Sequence, residues 1–435
     1  MPPGAFFERH QSLRSLAHRD FRLLLAGATL TGLVMPVQFL TQVFWVQQEY
    51  PQRSVLYVGL IAVSRGLAML IFSLVGGAIA DRFERRKVLL GCASAAFLFS
   101  TMVSALMLYN PFGQAAMAAL LCLTFLAAAA MAIDMPARTA AIPSVVGMAD
   151  MGNAISLNMV AQQLTIPLSL PLVGALNSVF APGEVYAGTL LAWAAILPLL
   201  AALRFRSIGS ANRALSMLGN IREGLSYTRR DAAIFGVIAM VLALQVVGMP
   251  GPATLGPLWM TEVLGLSKSQ FGMIAMTWGL GAFMASFFFA RQHGLARRGA
   301  TLCMMTYIFA VSAIIFGHSR FVPLTAAVNF ILGFAQVGTM VTAATVVQHL
   351  VRDEMRGRVM GLFPLAMGLA MLNAGPVSVA GQAVGLEVVV PALAWALLVI
   401  SALIGMTKPC GNSWLVTRTC VRCSSIWRSA ISRRP

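Results

Sequence analysis

Charge is sparse in this sequence. Only 10% of its 435 residues are Asp, Glu, Lys or Arg and just 14 are acidic, against 58% hydrophobic and a mean hydropathy of +0.80. A water-soluble domain cannot hide that much apolar surface, so soluble classes are excluded. Cysteine is scarce too. Cys92, Cys122 and Cys303 fall inside apolar runs and Cys410, Cys420 and Cys423 near the end, which leaves no disulfide framework. His10, His18, His293, His318 and His349 are scattered over termini and loops, without a His/Asp or Cys/His constellation or metal spacing. That argues against a membrane-embedded enzyme and against a metal centre. No glycine-rich Walker pattern occurs, so ATP is not expected as the direct energy source, and no cofactor is implied. The first 20 residues carry Arg9, Arg14 and Arg19 and no apolar core, so the first apolar run is expected to act as its own membrane signal.

What is present is a succession of long apolar runs. About 20 apolar residues cross the hydrocarbon layer, and twelve such spans are read at about 22–47, 55–80, 88–109, 113–141, 153–179, 185–204, 232–250, 270–290, 300–317, 321–346, 359–381 and 388–406. The expected fold class is an all-α membrane protein with both termini on one side. Alternating the connections between two faces sorts the charge. Arg9 to Arg22, Arg82 to Lys87, Arg138, six arginines from Arg204 to Arg230, Arg291 to Arg298, Arg352 to Arg358 and six basic residues from Lys408 onward share one face. Only Arg53, Lys268 and Arg320 lie on the other. By the positive-inside rule the basic face is cytoplasmic, which makes the net charge of +17 a matter of topology and not a sign of nucleic-acid binding.

The longest internal hydrophilic stretch separates six spans from six. The implied organisation is an amino-terminal segment 1–21, a first six-helix bundle 22–204, a central loop 205–231, a second bundle 232–406 and a basic tail 407–435 expected to be disordered. Gly219 to Leu225 in the central loop reads as an amphipathic helix lying on the membrane surface. The halves repeat weakly: at an offset of about 205 residues Ala141 to Leu157 falls on Val346 to Leu362, with Gly152 opposite Gly357. Parallel six-span repeats are a recurring transporter plan, with the substrate site between the halves.

Between the second and third spans stands a charged knot, Gly77-Ala78-Ile79-Ala80-Asp81-Arg82-Phe83-Glu84-Arg85-Arg86-Lys87. Gly77-x-x-x-Asp81-Arg82-x-x-Arg85-Arg86 resembles the signature of the major facilitator superfamily, the twelve-span secondary transporters, with Glu84 where the pattern usually has Gly. His18-Arg19-Asp20-Phe21-Arg22, Met135-Pro136-Ala137-Arg138, Arg222-Glu223-Gly224-Leu225 and Asp353-Glu354-Met355-Arg356-Gly357-Arg358 are similar to the enterobactin-exporter-like and macrolide-efflux-like branch. The resemblance implies an inner-membrane exporter whose latch comprises Gly77, Asp81, Arg82, Arg85 and Arg86. It also implies that Asp81 pairs with Arg138 and faces the helix opening at Arg358, so that Asp81→Asn weakens transport without preventing insertion.

Polar residues inside spans mark the cavity or the coupling machinery, because such groups face the bundle interior. The candidates are Gln38, Gln42, Arg65, Asp134, Asn158, Gln162, Gln245, Asn329, Gln336 and Asn373. Interhelical hydrogen bonding is the competing explanation for each. Spans three, six, eight, nine and twelve carry no such residue, which reads as peripheral placement. Arg65 lies about 15 Å deep, where a cation costs at least ~2.5 kcal/mol. That expense fits a role toward an anionic substrate, with a structural partner and snorkelling as alternatives. Asp134 stands four residues before Arg138, so a static ion pair competes with a proton-coupling role. The expected function is proton-coupled export of a siderophore-like or drug-like amphiphile by a monomer in the bilayer. A membrane enzyme, an importer and a lipid translocator are the alternatives.

Overall fold

A computed structural model describes residues 11–205, 217–290 and 298–406, and the expected basic tail lies outside them. A 3-10 helix, Gln11–Ala17, leads into α1 (Arg19–Glu49), α2 (Ser54–Arg82) and α3 (Arg85–Tyr109). One helical course then runs over Ala116–Val179. At 1.5 Å per residue it would measure about 96 Å, three times the hydrocarbon thickness. It is divided at Gly147, whose φ of 73° and ψ of 173° end one helix and start the next. We call the parts α4 (116–146) and α5 (148–179). The loop expected at 142–152 is therefore a one-residue hinge, placed where glycine reaches a φ closed to other residues.

The remaining elements are α6 (Pro182–Ala201), α7 (Met217–Arg230), α8 (Ala232–Val263), α9 (Lys268–Ala290), α10 (Arg298–His318), α11 (Val322–Leu350), α12 (Asp353–Met360), α13 (Leu362–Val384) and α14 (Leu386–Met406). Among the described residues eleven courses are long and apolar enough to cross a membrane, and counting α4 and α5 separately gives the expected twelve. α8 corrects the seventh span. Gly248, Pro250, Gly251 and Pro252 read as its end, yet the course covers Ala232–Val263. It continues through π-helical segments at Ala243–Gly248, Pro250–Leu255 and Trp259–Val263, whose longer-range bonds accommodate the missing proline N–H groups.

The two halves meet along α2 against α13 and α5 against α9. α9 is thus no peripheral helix, although it has no Asn or Gln in its apolar stretch. Small residues bring it in: Gly272 lies against Gly174, and Gly279 against Pro167, so close that a Cβ on either glycine would strike backbone. The apolar core is asymmetric across the membrane. Its largest cluster joins both halves, including Val43, Phe44, Val58 and Val173 with Leu255, Phe271, Val328 and Val377. Nearer the basic face the core splits into one cluster wholly of the first half, around Leu89 and Trp193, and another wholly of the second, around Ile234 and Val347.

Candidate functional site

The face opposite the basic loops is sealed across the halves. Gln47 Nε2 donates to Thr261 Oγ1 at 2.8 Å and to Glu262 Oε1 at 3.1 Å, and Ser54 Oγ donates to the same carboxylate oxygen at 3.0 Å. Gln382 reaches back across the seam, donating to the Gln52 carbonyl at 2.8 Å and accepting from the Leu56 N–H at 3.3 Å. Beneath this layer Phe44 packs edge-on against Phe271 at 5.5 Å, and Lys268 Nζ lies 5.5 Å from the Phe44 ring centre. None of these polar residues is a sequence candidate. They sit at span ends, where a polar side chain is ordinary, and only the partner across the seam distinguishes them.

Below the seal the first half holds a cavity lined by Gln38, Gln42, Arg65, Ser100, Thr124, Tyr186 and Trp193 together with Met35, Met69, Met131 and Met135. Met371 on α13 closes it from the other half. Gln38 donates to Ser100 Oγ at 3.1 Å and to Thr189 Oγ1 at 3.0 Å, and Gln42 donates to Thr124 Oγ1 at 3.2 Å. The Arg65 guanidinium lies 5.0 Å from the Phe39 ring centre, within cation–π range. Its Nε is buried without a hydrogen-bond partner, and so is Gln42 Oε1. No carboxylate pairs with Arg65 among the described residues.

The second expected centre is a closed ion pair. Asp134 and Arg138 are joined by two bonds, Nε to Oδ2 at 2.9 Å and Nη2 to Oδ1 at 3.0 Å, with side chains only 4% and 9% exposed. Arg138 also donates to the Leu24 carbonyl at 3.4 Å. The resemblance pairs Arg138 with Asp81; here Asp134 holds it, because the i,i+4 spacing on one helix presents both oxygens to the guanidinium fork. The surroundings of Gly77 and the side chain of Asp81 lie outside the described residues.

The rest of the knot is anchored to the first half. Arg85 donates to the Ala140 carbonyl at 2.7 Å and to Ser144 Oγ at 3.0 Å, Arg86 donates to the Ala201 carbonyl at 2.6 Å, and Arg82 is exposed. Glu84 pairs with Lys87 at 3.1 Å and precedes α3 with a φ of −59°, which any residue adopts, so the turn does not need glycine. Arg358 is paired with Glu223 on α7 and donates to Met355 Sδ at 3.2 Å. The sequence repeat gives this a counterpart, since Asn153 lies one offset before Arg358. Its Oδ1 accepts from the Ser15 N–H at 3.1 Å, while neighbouring Asp150 holds His18 at 3.1 Å and Arg14 at 3.4 Å. In each half the segment preceding the first span is strapped to residues just before or at the start of the fifth.

The other candidates are dispersed. Asn329 donates to the Ile274 carbonyl at 3.0 Å and Asn373 to the Val246 carbonyl at 2.7 Å, so both join helices within the second half. Gln245 is buried in the first π-helical segment of α8, with its Oε1 unpartnered. Gln336 and Asn158 are half-buried and Gln162 is exposed. None of these six lines the Arg65 cavity. On α5 it is Gln163, not a candidate, that crosses the seam, donating to Ser286 Oγ at 2.8 Å.

The same architecture occurs in solved transporters. A nucleoside transporter, NupG, superposes with a TM-score of 0.74 at 12% identity, covering 89% of this chain and all of that one. A bacterial homologue of the human lysosomal transporter Spinster, inward-facing and unoccupied, gives 0.68 at 14% identity over 91% of this chain and 98% of its own. In sequence, the multidrug efflux pump Tap of Mycolicibacterium fortuitum is 24% identical over 368 residues, 80% of this chain and 86% of the pump. The model of one family, described as transmembrane secretion effector, matches residues 11–417. Together with the twelve-helix fold, that match makes this chain a member of the transmembrane secretion effector family, an efflux-like branch of the major facilitator superfamily of membrane transporters.

Proposed function

We propose that the protein is an inner-membrane secondary transporter, working as a monomer with both termini in the cytoplasm, that exports amphiphilic small molecules in exchange for protons. The observation that carries this reading is the asymmetric core, continuous across the halves on one face and separated on the basic face. With the basic face cytoplasmic, that is the state in which an exporter loads from inside the cell. The methionine-rich walls of the Arg65 cavity suit varied apolar cargo, since unbranched thioethers adapt to irregular shapes. The similarity to a multidrug efflux pump points the same way.

In this mechanism the bundles 22–204 and 232–406 rock about the cavity, joined by the loop 205–231. Asp134 is the coupling carboxylate. Cargo binding sends Arg138 from Asp134 to Asp81, which latches the cytoplasmic side. Asp134, freed of its cation, takes a proton from the outer side and releases it to the cytoplasm when Arg138 returns and the inner side opens. The test is uptake of N-phenyl-1-naphthylamine into everted vesicles under an imposed proton gradient. Accumulation that a protonophore abolishes supports the reading. Gradient-independent uptake, or no uptake above vesicles lacking the protein of either this probe or its anionic analogue 1-anilinonaphthalene-8-sulfonate, refutes it.

A further inference from the structure

We propose that the Arg65 cavity binds the acid group of an anionic amphiphile, with Arg65 as its counter-ion and Gln42 and Tyr186 as polar neighbours. The inference rests on the export reading and names the charge of the cargo. A cation at membrane depth needs compensation, and the protein supplies little of it. Asp134, the buried carboxylate among the described residues of the first half, has both oxygens occupied by Arg138. Phe39 covers the guanidinium without accepting a hydrogen bond, which leaves Nε buried and unused. The remaining polar neighbours, Gln42, Ser100, Thr124 and Tyr186, are all uncharged.

An acid group entering this cavity would meet an unpaired guanidinium, a planar donor matched to carboxylate or sulfonate. The orphan Gln42 Oε1 of the same cavity would accept an O–H or N–H from the same molecule. The apolar body would lie against methionines and Trp193, with Met371 of the second half as part of the wall. Occupancy would therefore be felt at the seam between the halves.

The experiment compares two probes of nearly the same aromatic shape, anionic 1-anilinonaphthalene-8-sulfonate and neutral N-phenyl-1-naphthylamine. Binding is measured in nanodiscs by energy transfer from tryptophan, with empty discs subtracted. The readout is the ratio of the two affinities. Arg65→Gln removes a charge-assisted hydrogen bond and is expected to lower the ratio by roughly 10- to 100-fold. Met69→Glu is a second variant: it places a carboxylate four residues from Arg65 on α2 at the cavity wall and occupies the guanidinium from within. The same fall in ratio is expected. A ratio unchanged in either variant, with both probes weakened together or neither weakened, overturns the proposal, as does wild-type protein that binds neither probe. Wild-type protein that binds the anion through Arg65 yet concentrates neither probe in vesicles sinks the export reading and leaves the anion site standing.

Discussion

Replacing Gly59 by alanine should prop the outer seal open. Gly59 lies on α2 and faces α13 of the other half. A Cβ there would stand 2.0 Å from Ser378 Oγ, 2.3 Å from Ser378 Cβ and 2.9 Å from the Ala374 carbonyl oxygen. Overpacking a tight contact costs about 1–3 kcal/mol. Here the cost falls on the sealed state, because the two helices belong to different halves and the clash is relieved when they part. The equilibrium between sealed and outward-open forms should move by about 5- to 150-fold. Spin labels at exposed Arg53 and Val388, at the outer ends of the two halves, would report it by double electron–electron resonance as a second, longer distance. The double variant Gly59→Ala/Ser378→Gly removes the two shortest clashes and should recover most of the sealed population. A Gly59→Ala distance distribution identical to wild type refutes the reasoning, and so does a longer distance that Ser378→Gly fails to shorten.

Two further outcomes follow from single contacts. Asp134→Asn leaves Arg138 buried without its charge partner, and breaking such a pair costs about 3–5 kcal/mol. The purified variant should lose heat resistance on size-exclusion chromatography, and Asp134→Asn/Arg138→Gln should recover part of it; an unchanged melting profile would show that the pair contributes nothing. Glu262→Ala removes the acceptor shared by Gln47 and Ser54. At an exposed site this should weaken the seal by about 1 kcal/mol, roughly fivefold in its population. Faster labelling of a cysteine placed at buried Val46, next to Gln47, by a membrane-impermeant maleimide would register the change, and an unaltered rate would refute it.

Sequence alone determined the membrane class, the twelve apolar courses, the charge asymmetry and the superfamily. Each is written in local composition: a span needs about 20 apolar residues whatever it packs against, and loop charge sorts by face independently of tertiary contacts. It also picked out Arg65 and Asp134, because a charge at membrane depth is costly enough to mark itself. Tertiary structure decided what those charges do. Asp134 and Arg138 satisfy one another on a single helix, whereas Arg65 comes to a cavity wall with Gln38 and Gln42, without an acid among the described residues. The partner of Arg358 was not legible either, since Glu223 lies on a separate helix 135 positions earlier in the chain. The seal was hidden for the same reason. Gln47, Ser54, Glu262 and Gln382 are unremarked polar residues at span ends until folding sets them opposite one another across the seam. Small residues decided the seam itself. Gly59, Gly174 and Gly272 offer no side chain to read, and their part is to let two backbones approach, which depends on what stands on the other side.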